Sequence, residues 1–232
     1  MKNVVTMAYS ILKGPIHIAK IMGITPTFIG MLKKAINELL RKSKILHSPF
    51  IELEVLKVLS KAKKNSVFVD IGAYEGLYSV YCADKGLTVI AFEPNPTTFI
   101  RLNRKLSNYN NAVCYNLALG NRNKIMQLHI PEAAEQSSLL QREGRTVKVR
   151  VAKLDDFDFI HPDIIKIDTE GYEYYVLTGM QITIEKYRPL IILEFHSIEN
   201  LQRCKSWLKK RGYVVKLLDC WNQGHILAIT NK

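Results

Sequence analysis

The chain has 232 residues, 47% of them apolar and 23% charged, and a formal net charge of +12. That is the length of one α/β domain with a modest extension, and the apolar fraction suits a packed core, so global disorder is excluded. A membrane-spanning helix is excluded as well, because it needs about 20 apolar residues, and the stretch from Ile21 to Leu32 lies between Lys20 and Lys33 and is broken by Gly23 and Pro26.

Met1 to Leu12 holds one Lys and a short apolar run with no small-residue cleavage site after it, so it does not read as a signal peptide. Cys82, Cys114, Cys204 and Cys220 stand far apart and form no CxxC pair. They read as thiols in a reducing compartment rather than a zinc site, and a cytoplasmic location is expected. Positive charge gathers at the start: residues 1–64 hold twelve Lys/Arg against three acids, a net +9, which leaves about +3 for the remainder.

Residues 1–49 are expected to form a basic helical extension or lid, in pieces separated by Gly14-Pro15, Thr25-Pro26 and Ser48-Pro49. Thr25 and Pro26 read as an N-cap followed by Pro at the first helical position. The helix they start runs to about Lys44, with Phe28, Ile29, Leu32, Ile36, Leu39 and Leu40 on one stripe and Lys33, Lys34, Arg41 and Lys42 elsewhere. Such a helix suits a lid packed on the core. Peripheral contact with an acidic membrane surface is the alternative, and nucleic acid is the weaker one.

From Phe50 onward, one domain of alternating helix and strand is expected. A helix covers about 50–63, and Ser66–Ile71 is a buried strand. A helix from about Leu77 to Lys85 precedes the strand Thr88–Phe92, and a helix over about 96–107 precedes a strand near 112–116. Ile125–Ile130 and Val147–Val151 alternate and should pair antiparallel. Asp163–Asp168 is a further buried strand, followed by a helix from about 172, the strand Leu190–Phe195 and a helix over about 198–210. The chain closes with Tyr213–Leu218 and His225–Thr230 around a Trp221–Gly224 turn. Such alternation implies a Rossmann-like, mostly parallel sheet, finished by one antiparallel hairpin.

Four stretches at strand ends carry chemistry. In Asp70-Ile71-Gly72-Ala73-Tyr74-Glu75-Gly76, Gly72 lets the backbone turn tightly and approach a ligand, and the next helix offers free N–H groups. The middle glycine of a dinucleotide loop is replaced by Tyr74, so the D-x-G-x-x-x-G spacing suits the methionine carboxylate of S-adenosylmethionine better than a pyrophosphate. Glu93, in Glu93-Pro94-Asn95-Pro96, lies 21 residues beyond Gly72, where a carboxylate accepts hydrogen bonds from both ribose hydroxyls. Asn116-Leu117-Ala118 would flank the adenine. Asp168 and Glu170, in Lys166-Ile-Asp168-Thr169-Glu170-Gly171, leave the next strand toward the transferred methyl group. Alternation places Glu194 and His196 on one side of the strand after it.

The order and spacing of FVDIGAYEG, AFEPNP, LALGN, Ser137-Ser138-Leu139, VKVRVAKLDDF, IIKIDTEGYEYYVLTGM and RPLIILEFH resemble the FkbM family of methyltransferases, over about Val67 to His196, a little over half the chain. The resemblance implies a class I S-adenosylmethionine-dependent enzyme that methylates oxygen, often on sugars or natural-product hydroxyls. The family usually has Asn where this chain has Tyr74. Asp70, Gly72, Ala73, Tyr74, Gly76, Glu93, Asn95, Asn116 and Ala118 are the candidates for holding the cofactor. His196, Asp168 and Glu170 are the candidates for catalysis, since a base near the acceptor's hydroxyl proton contributes roughly 10²–10⁴-fold.

A metal-free mechanism is favoured, because few carboxylates converge and none carries a dedicated ligand motif. A divalent cation on the carboxylates is the alternative. A small-molecule or glycan acceptor is expected. Two other readings remain: a nucleic-acid methyltransferase, against which the body is nearly neutral and no [ND]-P-P-[YF] follows the fourth strand, and a nucleotide-binding module without catalysis. The acceptor itself is expected to meet variable segments, namely residues 1–49, 131–146 and 219–224.

Overall fold

The computed structural model describes residues 53–130, 145–220 and 224–230. The expected extension over 1–49, Ser137–Leu139 and most of the Trp221–Gly224 turn lie outside the described residues. The chain divides into two compact units, 1–57 and 58–232, and of the first only the start of helix α1 (Leu53–Ser60) is described. No helix among the described residues is long and apolar enough to cross a membrane.

The second unit is built on a seven-stranded sheet. Its strands are β1 (Val67–Ile71), β2 (Thr88–Phe92), β3 (Ala112–Tyr115), β7 (Ile164–Ile167), β8 (Leu190–Phe195), β9 (Tyr213–Cys220) and β10 (Gly224–Thr230). Three more, β4 (Ala118–Leu119), β5 (Lys124–Ile130) and β6 (Arg145–Ala152), form a separate small sheet. The large sheet runs β3-β2-β1-β7-β8-β10-β9. Its first five members are parallel, and β10 enters antiparallel between β8 and β9. This is the expected mostly parallel Rossmann-like sheet with an antiparallel C-terminal pair.

The parallel strands are short and β-branched, and β1 and β7 are buried almost throughout. Strands covered on both faces read as continuous apolar runs. The covering helices show one-sided periodicity. In α3 (Pro96–Leu106), Thr98, Leu102 and Leu106 recur every four residues and are buried. In α6 (Ile198–Lys209), Asn200, Cys204, Trp207 and Leu208 are the buried stripe, and Ser197 caps the start by accepting from the Asn200 amide. Helix α2 (Leu77–Asp84) follows β1.

The segment after about 172 is two short helices, α4 (Glu173–Thr178) and α5 (Gln181–Tyr187), rather than one. Gly179 separates them because the backbone there presses on Gly120: a Cβ at Gly179 would stand 1.8 Å from the Gly120 carbonyl oxygen. Asp155, in a short 3₁₀ turn (Leu154–Asp156), then accepts from the Ile182 and Thr183 amides and restarts the helix.

The expected pairing of Ile125–Ile130 with Val147–Val151 is present, with Ile125 opposite Arg150 and Leu128 opposite Val147. Its inner face packs Leu128, Val149 and Val151 around Ala118. Strand order reverses at β1, with β2 on one side and β7 on the other. In open α/β sheets, ligands bind at the carboxyl ends of strands at such a point.

Candidate active site

A pocket opens at that position. Of the predicted residues, Gly72, Tyr74, Glu93, Ala118, Asp168 and Glu170 line it. Leu117, Leu119, Leu128 and Tyr172 give the lining its apolar part, which suits a flat base inserted between side chains.

The β1–α2 turn is held by backbone bonds, with the Gly72 and Ala73 amides both donating to the Phe92 carbonyl at 2.9 and 3.0 Å. Gly72 adopts φ +79, and a Cβ there would meet the Asp168 carbonyl oxygen at 1.7 Å. Asp70 lies beneath the turn, 1% exposed. Its Oδ2 accepts from the Ser79 hydroxyl at 2.7 Å, while Oδ1 finds no hydrogen-bond partner among the described residues. Burial raises the Asp70 carboxyl above the usual range, and the neighbouring Lys166 draws it back.

Tyr74 and Glu170 both sit at positive φ, 48° and 52°. Residues with a Cβ reach this region only at a cost of roughly 1–3 kcal/mol, a strain typical of functional sites.

At the end of β2, the Glu93 side chain is clasped by two amides. Tyr74 N donates to Oε2 at 2.9 Å and Asn95 N to Oε1 at 2.8 Å. Each carboxylate oxygen keeps a second lone pair. Burial nevertheless lifts the carboxyl to about 7, outweighing the two amides that lower it. A buried acceptor at Asp70 with one unpartnered oxygen, a turn at Gly72 too tight for a Cβ, and a Glu93 carboxylate with lone pairs to spare at the pocket wall are chemically compatible with the S-adenosylmethionine site expected from the sequence.

An expected outcome follows for Glu93. Glu93→Ala should weaken cofactor binding by about 1.5–3 kcal/mol, the scale for a hydrogen bond to a charged group. Because the ionised carboxylate is the form that accepts from hydroxyls, affinity should rise with pH toward and through about 7, by at most about tenfold per unit. Calorimetry near pH 6 and near pH 8 checks both, since Glu93→Gln should flatten the slope. An unchanged affinity and slope in folded variants would remove Glu93 from the ribose role.

The remaining predicted cofactor residues are placed differently. Asn95 is the N-cap of α3, accepting from the Thr97 amide at 3.0 Å. Gly76 begins α2 at φ +81, where a Cβ would strike Leu102. Ala73 packs in a small core cluster with Ala91, Leu102 and Leu106. Asn116 donates to the Glu93 and Pro94 carbonyls and so holds the β2 end rather than lining the pocket.

The three catalytic candidates come together beyond β7 and β8. His196 Nε2 lies 3.2 Å from Glu170 Oε2 and 4.0 Å from Asp168 Oδ1. The same nitrogen is 3.7 Å from Glu194, as strand alternation requires, and Glu194 is 3.4 Å from His225. Asp168 bonds the buried Lys166 at 2.9 Å, and Lys166 in turn sits over the Tyr78 ring.

Burial pulls His196 down, but the Glu173 carboxylate 3.3 Å from Nδ1 and the charges of Glu170 and Asp168 outweigh it and lift the imidazole to about 9. Burial lifts Glu170 to about 7 against the pull of His196. Asp168 is also raised by burial, yet Lys166 and Glu194 draw it down to about 2. Near neutrality, then, His196 is cationic, Asp168 is ionised, and Glu170 is the group poised to exchange a proton.

Donor atoms of Asp168, Glu194 and His196 lie within 4.8 Å of one another, a spacing a divalent cation could bridge. Lys166 already pairs with Asp168 at 2.9 Å and Glu170 already faces His196, so no metal is assigned. Glu173 and Asn200 were not picked out from the sequence, although both belong to this cluster. The available signal was an acid in the first turn of a helix that follows a loop of candidate residues.

The sequence model of the methyltransferase FkbM domain matches residues 70–215. A hexuronic acid methyltransferase, AglP, of Haloferax volcanii is 29% identical over 154 residues, covering 63% of each chain. Methyltransferase 1 of Beauveria bassiana is 25% identical over 182 residues, 65% of this chain and 73% of its own. Among solved structures, methyltransferase FkbM of Methylobacillus flagellatus superimposes with a TM-score of 0.55 at 18% identity, over 72% of this chain and 44% of that one. A precorrin-6y C5,15-methyltransferase of Geobacter metallireducens does so at 0.51 and 15%, over 78% and 88%. The two structures establish the fold. The chain spans under two thirds of the haloarchaeal relative and under half of the Methylobacillus chain.

Proposed function

The chain belongs to the FkbM methyltransferase family, and from that premise we propose that it transfers a methyl group from S-adenosylmethionine to a hydroxyl oxygen of a sugar or glycan. The observation that carries this reading is the Glu170–His196 pair, 3.2 Å apart, with Glu170 lining the pocket. Gly72 and Glu93 would hold the cofactor at the pocket wall, with Asp70 supporting the turn from beneath, and it would supply an electrophilic methyl group on a sulfonium.

The protein's part is position and proton management. A neutral hydroxyl is a poor nucleophile, and its oxygen must lose a proton as it gains carbon. Glu170 faces the pocket with a carboxyl near 7 and accepts that proton. The imidazolium of His196 fixes the Glu170 carboxylate and spreads its charge. Asp168, kept ionised by Lys166, adds negative potential beside a reacting centre that begins as a cation. The leaving group departs as a neutral thioether, so no metal is required to receive charge. The hexuronic acid named for the H. volcanii relative supports a uronic acid-bearing acceptor.

The test is incubation with methyl-labelled cofactor and uronic acid-containing glycans, matched neutral glycans, RNA and protein, following both label and S-adenosylhomocysteine. Label in the glycan arms is expected. Label in RNA or protein alone would overturn the acceptor class, and cofactor binding without any S-adenosylhomocysteine would overturn catalysis. Chelation is expected to leave turnover within about twofold, because Lys166 and His196 supply the local positive charge. Complete loss, restored by Mg²⁺ or Mn²⁺, would favour a cation across Asp168, Glu194 and His196.

A further inference from the structure

Glu173 is the acid of the sequence motif that the reaction does not use. It opens α4 and its side chain is 0% exposed. A carboxylate taken wholly out of water is retained only where hydrogen bonds and charge replace the solvent. Its Oε1 accepts from the Thr169 amide at 3.1 Å, the Thr169 hydroxyl at 3.2 Å and the Gly171 amide at 2.9 Å. Its Oε2 accepts from the Asn200 side chain, which also donates to the Gly171 carbonyl at 2.9 Å. The residues clamped in this way, 169 and 171, flank Glu170.

The same Oε1 lies 3.3 Å from His196 Nδ1, a charge contact rather than an aligned hydrogen bond, since Nδ1 has no hydrogen-bond partner among the described residues. One buried carboxylate therefore holds both the loop that carries Glu170 and the ring that faces it. With Nδ1 turned to Glu173, Nε2 is left pointing at Glu170. A histidine's working nitrogen is set by what binds the other one.

We propose that Glu173 is a positioning residue: it fixes the ring orientation of His196 and the separation of His196 from Glu170, and it keeps a proton on Nδ1. This rests on the reading of Glu170 and His196 as the proton-accepting pair. A simple loop cap would need the amides of 169 and 171 but no histidine. The groups facing His196 are Glu173 from α4, Asp168 and Glu170 from the loop after β7, and Glu194 from its own strand. Lys166 stands behind Asp168, and His225 of β10 stands behind Glu194. Removing the Glu173 charge leaves the others in place, so its effect can be read separately.

The test uses the full chain with ¹⁵N-labelled histidine and the substitution Glu173→Gln, whose amide oxygen can still cap the loop. Long-range ¹H–¹⁵N spectra across pH report the proton on each His196 nitrogen. The expected result is a fold retained by circular dichroism, S-adenosylmethionine affinity within about threefold, a His196 titration midpoint at least about one unit lower and a shifted Nδ1 resonance. Unchanged His196 signals in the folded variant would reduce Glu173 to a loop cap. Should Glu173→Gln not fold, Asn200→Ala removes one donor to Glu173 together with the bond to the Gly171 carbonyl, and an unchanged His196 spectrum there overturns the proposal equally. These spectra need no acceptor. If they come out as expected while His196→Ala leaves turnover intact, the base assignment fails and the positioning stands.

Discussion

Gly72→Ala should destabilise the fold by at least about 3 kcal/mol and abolish measurable cofactor binding in whatever fraction remains folded. The added Cβ would sit 1.7 Å from the Asp168 carbonyl oxygen and 2.9 Å from its carbon. Both are backbone atoms, so no side chain can swing aside. Forcing one methyl into packed backbone costs about 1–3 kcal/mol or more, and the left-handed conformation at φ +79 adds about 1–2. Relief means parting the ends of β1 and β7, yet Asp168 N is bonded there to the Ile71 carbonyl at 2.9 Å. That movement carries Asp168 out of register with Glu93 and His196.

Thermal melts should fall by roughly 6–12 °C, at about 2–4 °C per kcal/mol for a domain of this size. Gly179→Ala is the control. Its Cβ meets the Gly120 carbonyl oxygen at 1.8 Å, a comparable clash away from the pocket lining, so it should lower the melt similarly while the folded fraction still binds cofactor. A Gly72→Ala protein with unchanged melt and affinity would show that the turn is not the cradle described here.

His196→Ala and Glu170→Gln should each lower turnover by roughly 10²–10⁴-fold while leaving S-adenosylmethionine affinity nearly intact, the signature of help given only in the transition state. The two act through one contact, so the double variant should cost little more than the worse single one. The pH profile carries the sign. Glu170 must be ionised to accept a proton, so turnover rises through about 7. His196 must keep its charge to hold that carboxylate, so turnover falls above about 9. The two limbs belong to the pair rather than to either residue. Glu170→Gln should erase the acidic limb. If neither variant affects turnover, Asp168 becomes the base to examine.

The sequence by itself determined the alternation of strand and helix, because short β-branched runs and one-sided helical stripes are written in neighbouring residues. It also determined that Gly72, Glu93, Asp168 and His196 stand at strand ends. Parallel strands joined by right-handed crossovers bring those ends to one edge, so a one-dimensional reading reached Gly72, Tyr74, Glu93, Ala118, Asp168 and Glu170 of the pocket lining. Only the tertiary structure decided which neighbouring residues line the pocket. Asn95 and Gly76 belong to the same motifs, but the first caps α3 and the second makes room for Leu102. The break between α4 and α5 arises from backbone contact between Gly120 and Gly179, 59 positions apart. The charge on His196 depends on three acids drawn from the end of β7 and from α4, and Glu173 is held in part by Asn200, 27 residues away. Local sequence sets backbone preference within a few residues. Burial and partner choice are properties of the packed whole, and they fix which acid is ionised, which is a cap and which can take a proton.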